Sequence, residues 1–176
     1  MISAYSTVYK LFCGTLRLSA DERGITGISF IDEGETVESQ PIPTPVAAHL
    51  HAACKWLEAY QASKQPDGIR YKEVLPEVRL HIGGSPFQRA VWEETMKIPF
   101  GETMTYGELA RWVALSLGKE RMSAQAVGGA LKRNPVVLLV PCHRVTGAGG
   151  QLGGYIGKAG TALKQLLLAH EGVYII

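Results

Sequence analysis

The sequence predicts an α+β protein in two parts: a first half that mixes strands with one helix, and a mostly helical second half. Three observations carry this. Apolar and polar residues alternate from Thr7 to Asp21, the period-2 pattern of strands. From Ser85 onward apolar residues recur at helical spacing behind Ser or Thr. Between them Gly83-Gly84 ends the last strand of the first half and sets the boundary. Residues 1–84 then form an N-terminal α+β domain and 85–176 a C-terminal domain.

Each element follows from a local signal. "TVYKLFCGTLRLSAD" reads as a strand pair around Gly14, and "GITGISFID" as a further strand region with Gly24 and Gly27 as turn signals. "ETVESQPIPTP" is a polar, proline-rich connection. "TPVAAHLHAACKWLEAYQ" reads as a helix with Thr44 as N-cap and Pro45 in its first turn. "EVRLHIGG" reads as a short strand. In the second half, Ser85 caps a helix with Pro86 at its first position, and Phe87, Val91 and Trp92 share a face. Thr105 and Glu108 form a capping box for a helix that Gly118 ends. Ser123 caps a third helix, stopped at Asn134-Pro135. The apolar run Val136–Val140 reads as a buried strand leading to Pro141 and Cys142, a glycine-rich loop follows, and "TALKQLLLAHEG" is the last helix.

Composition excludes several classes. The chain has 176 residues, 46% hydrophobic and 19% charged, as in ordinary soluble domains. No apolar run approaches the ~20 residues that cross a bilayer. The N-terminus lacks a signal-peptide pattern, so the expected location is the cytoplasm, or the nucleus in a eukaryote. Cys13, Cys54 and Cys142 cannot all pair, and a disulfide framework is not expected. Residues 1–85 carry 8 Lys/Arg against 10 Asp/Glu, and residues 86–176 carry 10 against 6. A basic second half is a weak pointer to a polyanion.

The chemistry concentrates there. Two short helices joined by a basic turn, Thr105–Gly118 and Ser123–Arg133, have a helix-turn-helix layout. The second is nearly bare: Ala124, Ala126, Gly128, Gly129 and Ala130 leave room for a close backbone, either of a neighbouring helix or of nucleic acid. Lys132 and Arg133 at its end, with Lys119 and Arg121 before it, favour phosphate. Cys142 stands beside His143 and Arg144, cations able to favour a thiolate. Neighbours in an extended segment point apart, so His143 reaches the thiol only through a bend at Pro141 or a water. Glu171 is the candidate to orient the imidazole. His51 and Cys54 could share a helix face, but no full metal-ligand set is seen, and neither a metal nor another cofactor is expected.

Taken in order, "SPFQRAVWE", "PFGETMTYGELA", "AVGGAL" followed by Asn134-Pro135, "PCHRV" and "LLLAHEG" resemble the O6-alkylguanine-DNA alkyltransferases, the methylated-DNA–protein-cysteine methyltransferases. The likeness covers the whole second half; the first half matches in size and α+β character. It implies a ribonuclease-H-like N-terminal domain and a winged-helix-like C-terminal domain. It also implies a monomer that enters the minor groove of alkylated double-stranded DNA and flips the damaged guanine. By this resemblance Cys142 takes the alkyl group from guanine O6 in one irreversible step, with O4 of thymine a further substrate. His143 and Glu171 keep the thiol reactive. Tyr106 aids flipping and protonates the leaving base, and Asn134 ties the recognition helix to the acceptor segment. The carbonyls of Cys142 and Val145 read the base amino group, with Tyr155, Ile156 and Val137 around the pocket. Gln125, Ala126, Gly128, Gly129, Lys132, Arg133 and Tyr106 face DNA, and Arg144 is scaffold.

Two departures stand out. Gln125 occupies the position where the family carries an arginine wedge. The loop after Tyr155 is longer than usual by about two residues, which bears on Ile156 and Lys158. Two other readings stay open: a binding-only relative that recruits repair factors, and a regulator whose cysteine senses alkylation.

Overall fold

The structure, a computed structural model, describes residues 5–32, 34–37, 40–63, 78–153 and 160–175. These fall into two compact units: 5–63, 78–83 and 135–137 in the first, and 84–134, 138–153 and 160–175 in the second. The architecture is mixed α and β, with five α-helices and two small sheets among the described residues.

In the first unit the alternating segment folds as β1 (Tyr5–Leu11) and β2 (Gly14–Asp21), and β3 (Gly24–Ile31) completes an antiparallel sheet in the order β1-β2-β3. Leu11 opposes Gly14 and Thr15 opposes Ile31, and the β2–β3 register shifts between Ser19 and Ala20. Alternation puts Leu16, Leu18 and Ala20 of β2 on one buried face. The helix α1 (Thr44–Ala62) buries Val46, Leu50, Ala53, Leu57 and Tyr60, and packs against all three strands. Gly24 is obligatory at the β2–β3 turn: its φ is +155°, and a Cβ there would lie 2.5 Å from the Arg79 carbonyl oxygen.

Gly27 lies inside β3 opposite Ser19 rather than at a turn, and three further expectations need correction. Thr44 does not cap α1; it is the first helical residue, Pro43 precedes it, and no side chain caps this end. Proline at the N-cap position offers no side-chain acceptor. The expected strand "EVRLHIGG" reduces to one parallel bridge, Leu80 to Ile25, framed by Ile25 N–H to Arg79 O and His81 N–H to Ile25 O, both 2.8 Å. The run Val136–Val140 is not a continuous strand. Val136 bridges Ile28, but Leu138 turns the chain with φ +72°. A left-handed leucine costs roughly 1–3 kcal/mol, which the burial of Val136, Val137, Leu138 and Val140 offsets.

In the second unit α2 (Pro86–Thr95), α3 (Tyr106–Ser116) and α4 (Ala124–Lys132) pack on one another. Ser85 and Gln88 form a capping box, as do Thr105 and Glu108, and Ser123 caps α4. Gly118, at φ +63°, lets Lys119 N–H reach back to Ala114 O and end α3. Trp92 Nε1 donates to Ala130 O across 3.1 Å, so α2 uses the bare side of α4. The last helix, α5, is Gly160–His170. Two dipeptides, β4 (Met104–Thr105) and β5 (Val145–Thr146), pair in parallel.

Candidate active site

The parallel pair brings the site together. It joins the residue before α3 to the residues after the thiol, so Tyr106 opens its helix beside the Cys142 segment. Cys142–Arg144 forms a single 3₁₀ turn, entered from Pro141 at φ −79° and ψ 62°. All three residues are buried, with Cys142 4% exposed and in no disulfide.

Asn134, at the end of α4, donates from Nδ2 to Val140 O at 2.8 Å and to Cys142 Sγ at 3.2 Å. One amide thus ties α4 to the turn and offers the sulfur a donor, which favours a thiolate. His143 Nε2 lies 2.6 Å from Glu171 Oε1, both side chains fully buried. A carboxylate only accepts, so the imidazole proton sits on Nε2 and Nδ1 carries the lone pair. That Nδ1 is the one buried side-chain nitrogen or oxygen without a hydrogen-bond partner among the described residues. Burial holds the His143 pKa below its ordinary value, with Glu171 opposing, so the neutral imidazole is favoured.

Glu171 is saturated. Besides His143, its Oε1 accepts from Arg144 Nη2 at 2.9 Å, and its Oε2 accepts from Arg144 Nε at 2.8 Å and from Gly101 N–H at 3.1 Å. Burial pushes this carboxyl up, but the bonds and charges of His143 and Arg144 outweigh it and hold the pKa at about 2. Arg144 Nη1 also donates to Ile98 O at 2.8 Å. The guanidinium is therefore committed to Glu171 and the chain before α3, and does not serve the thiol.

Sequence reading missed Lys164. Fully buried, it donates from Nζ to Val145 O and lies 5.8 Å from the centre of the Tyr106 ring. Burial lowers its pKa, and Cys142 opposes that shift. The signal was there: Lys164 shares an i, i+3, i+4 face with the buried Leu167 and Leu168, and a lysine on a core face needs a partner. Val145 O keeps a second lone pair for another donor. Tyr106 is half-buried, with burial first and Cys142 second raising its pKa, so it stays a phenol. Its ring packs beside Gly128 and Gly153; a Cβ at Gly128 would stand 3.8 Å from it, and one at Gly153 3.3 Å from Oη.

Cys142, His143, Glu171, Asn134, Tyr106 and Val145 thus lie around one turn. Val137 is buried, and its N–H bonds Ile28 O at 3.0 Å. Tyr155, Ile156 and Lys158 lie outside the described residues. Gln125, Ala126, Lys132 and Arg133 are exposed on α4, and Gly129 has open space beyond it, whereas Gly128 is shielded by Tyr106.

A thiol buried with an amide donor, a lysine and a carboxylate-held imidazole is an acceptor or nucleophile set on a helical scaffold. Residues 86–173 match the family model for the DNA-binding domain of 6-O-methylguanine DNA methyltransferase. A methylated-DNA–protein-cysteine methyltransferase of Methanosarcina acetivorans is 34% identical over 96% of this chain and 98% of its own length. The protein of that name from Homo sapiens is 37% identical over 90% of this chain and 76% of its own. The crystal structure of a point variant of Mycobacterium tuberculosis OGT superposes with TM-score 0.71 at 31% identity, covering 96% of this chain and 93% of that one. OGT of that organism in complex with DNA gives 0.69 at 28%, covering 95% and 92%. The chain belongs to the 6-O-methylguanine DNA methyltransferase family, the methylated-DNA–protein-cysteine methyltransferases.

Proposed function

We propose that this protein repairs DNA by direct reversal, moving an alkyl group from O6 of guanine, and from O4 of thymine, onto Cys142. The observation that carries the reading is the bare, buried Nδ1 of His143, one residue along the turn from a thiol already held by Asn134. The thiol proton passes through one water to Nδ1, and Glu171 stabilises the imidazolium that forms. Sγ attacks the alkyl carbon, the carbon–O6 bond breaks, and the guanine leaves with a proton from Tyr106. Imidazolium and phenolate then re-equilibrate with solvent. The product is a thioether, whose alkyl carbon–sulfur bond resists attack by water, so each molecule acts once.

Several further readings belong to this proposal. Residues 1–84 form a ribonuclease-H-like domain and 85–176 a winged-helix-like domain. A single copy lays α4 in the minor groove and flips the base, with Gln125, Ala126 and Gly129 toward the duplex and Lys132 and Arg133 toward phosphates. The Cys142 and Val145 carbonyls read the base amino group, and Tyr155 and Ile156 complete the pocket. A chemistry that consumes a reduced thiol suits the cytoplasm or nucleus. No helix among the described residues is long and apolar enough to cross a membrane.

The test is to incubate the protein with a duplex holding one O6-methylguanine and to measure intact mass and the Cys142 peptide. One added methyl on that peptide is expected. Tight binding without a mass change means a lesion-binding protein only, and indifference to damage rejects both. Gln125→Arg is expected to tighten binding to the alkylated duplex; unchanged affinity and rate would remove Gln125 from the wedge position.

A further inference from the structure

The first turn of α4 carries no charge: Ser123, Ala124, Gln125 and Ala126 are all neutral, and all exposed. Cations sit instead on the segment that leads into it. Residues 119–122, the start of α4 and one side of α3 line an open cavity of about 450 Å³. Its floor is bare, made by Gly107, Ala110, Ala114 and Ala124. Its charged residues are Arg111, Lys119 and Arg121 against the single carboxylate Glu120, and all four are exposed. None of the three cations is in a salt bridge among the described residues. Gly107 and Ala124 lie in the first turns of α3 and α4, so two helix N-termini border one end of the cavity.

We propose that this cavity seats the sugar–phosphate backbone of the DNA strand that runs past α4, with Arg111, Lys119 and Arg121 as its phosphate contacts. The inference rests on the DNA-repair reading above and adds where the anchoring charge lies. A floor of glycine and alanine admits a backbone closely. Three exposed cations outside any salt bridge among the described residues, around an open trough, suit a polyanion that brings one charge after another. The division of labour is then between α4, which enters the groove nearly uncharged, and the α3–α4 connection, which holds the strand beside it.

The experiment measures affinity of the full chain for an undamaged duplex and for an O6-methylguanine duplex across a salt series. The native protein is compared with Arg111→Gln, Lys119→Gln, Arg121→Gln and the triple variant. The slope of log K against log salt is expected to shrink by about 0.9 per cation removed, about 2.7 for the triple variant. The loss is equal on damaged and undamaged DNA, because phosphates carry no sequence. Methyl uptake from the free base O6-methylguanine, which has no backbone, stays at the native rate and shows that the site is intact. Glu120→Gln binds more tightly. An unchanged slope in the triple variant, with the native protein still binding and methylated at Cys142, overturns the cavity's role alone and leaves it to an acidic protein partner. A native protein that neither binds DNA nor gains a methyl group overturns the repair reading and this one together.

Discussion

Two histidine–carboxylate pairs hold the two units, and their contact lengths barely differ. His81 Nδ1 lies 2.7 Å from Asp21 Oδ2 in the first, and His143 Nε2 lies 2.6 Å from Glu171 Oε1 in the second. Their surroundings are opposite. The His81 side chain is 35% exposed, and Asp21 spends its other oxygen on the Arg23 and Gly24 N–H groups of the β2–β3 turn. That carboxylate is a clip for a turn, and water shares the histidine. In the second unit both partners are sealed off, the carboxylate has four donors, and the imidazole keeps one unsatisfied nitrogen. Contact length does not distinguish a clip from a base; what is left over after the contact does.

The comparison can be broken most severely at Arg144. Arg144→Met leaves the Glu171 carboxylate buried without its guanidinium, and should lower stability by about 3–5 kcal/mol, read by urea unfolding. A loss near zero would mean that water replaces the guanidinium and that the second pair is no more buried in practice than the first. Next, His143→Gln should slow methyl transfer to Cys142 by about 100-fold, while His81→Gln leaves the rate unchanged, in single-turnover assays. Equal slowing by both would erase the distinction between clip and base.

Acid separates the pairs more gently. His143 has a folded pKa below its ordinary 6.5, so its contribution is complete above that value and is lost as pH falls through it. Glu171, at about 2 against an ordinary 4.5, loses its contribution only as pH falls from the second value toward the first. Asp21 is also depressed, burial being outweighed by the bonds from Arg23, His81 and Gly24, and its contribution is lost below 3.8. Between about pH 7 and 5.5 the His143 contribution therefore weakens the second unit, and the Asp21 contribution does not yet weaken the first. Urea unfolding followed at Trp92 should shift to lower urea over that range more than unfolding followed at Trp56. The smallest effect belongs to Asp21→Asn, about 1 kcal/mol from a weakened turn, with transfer unaffected.

Features encoded within a few residues were legible in advance. The Thr105–Glu108 box, the Ser85 and Ser123 caps, the strand pair around Gly14 and the Gly118 stop each depend on neighbours along the chain. The site was legible in part because Cys142 and His143 are adjacent and Glu171 closes an ordered set of motifs. What escaped depends on distance. Gly101 and Ile98 reach Glu171 and Arg144 through backbone atoms, which any residue type supplies. Lys164 finds its partner, the Val145 carbonyl, 19 residues away in sequence. Val136–Val140 looked like one strand because every residue is apolar, yet its halves belong to different units and Leu138 turns between them.

The four donors on Glu171 come from three residues in two places in the chain: Gly101 in the stretch before α3, and His143 and Arg144 in the turn that carries Cys142. A chain that misplaces any of them strands a buried charge and loses much of its margin against unfolding. Folding therefore doubles as inspection, and the molecules that survive as folded are those with the proton acceptor already assembled. For a protein used once, with no later turnovers to average over faulty copies, quality control of this kind sets how many lesions a given number of molecules can clear.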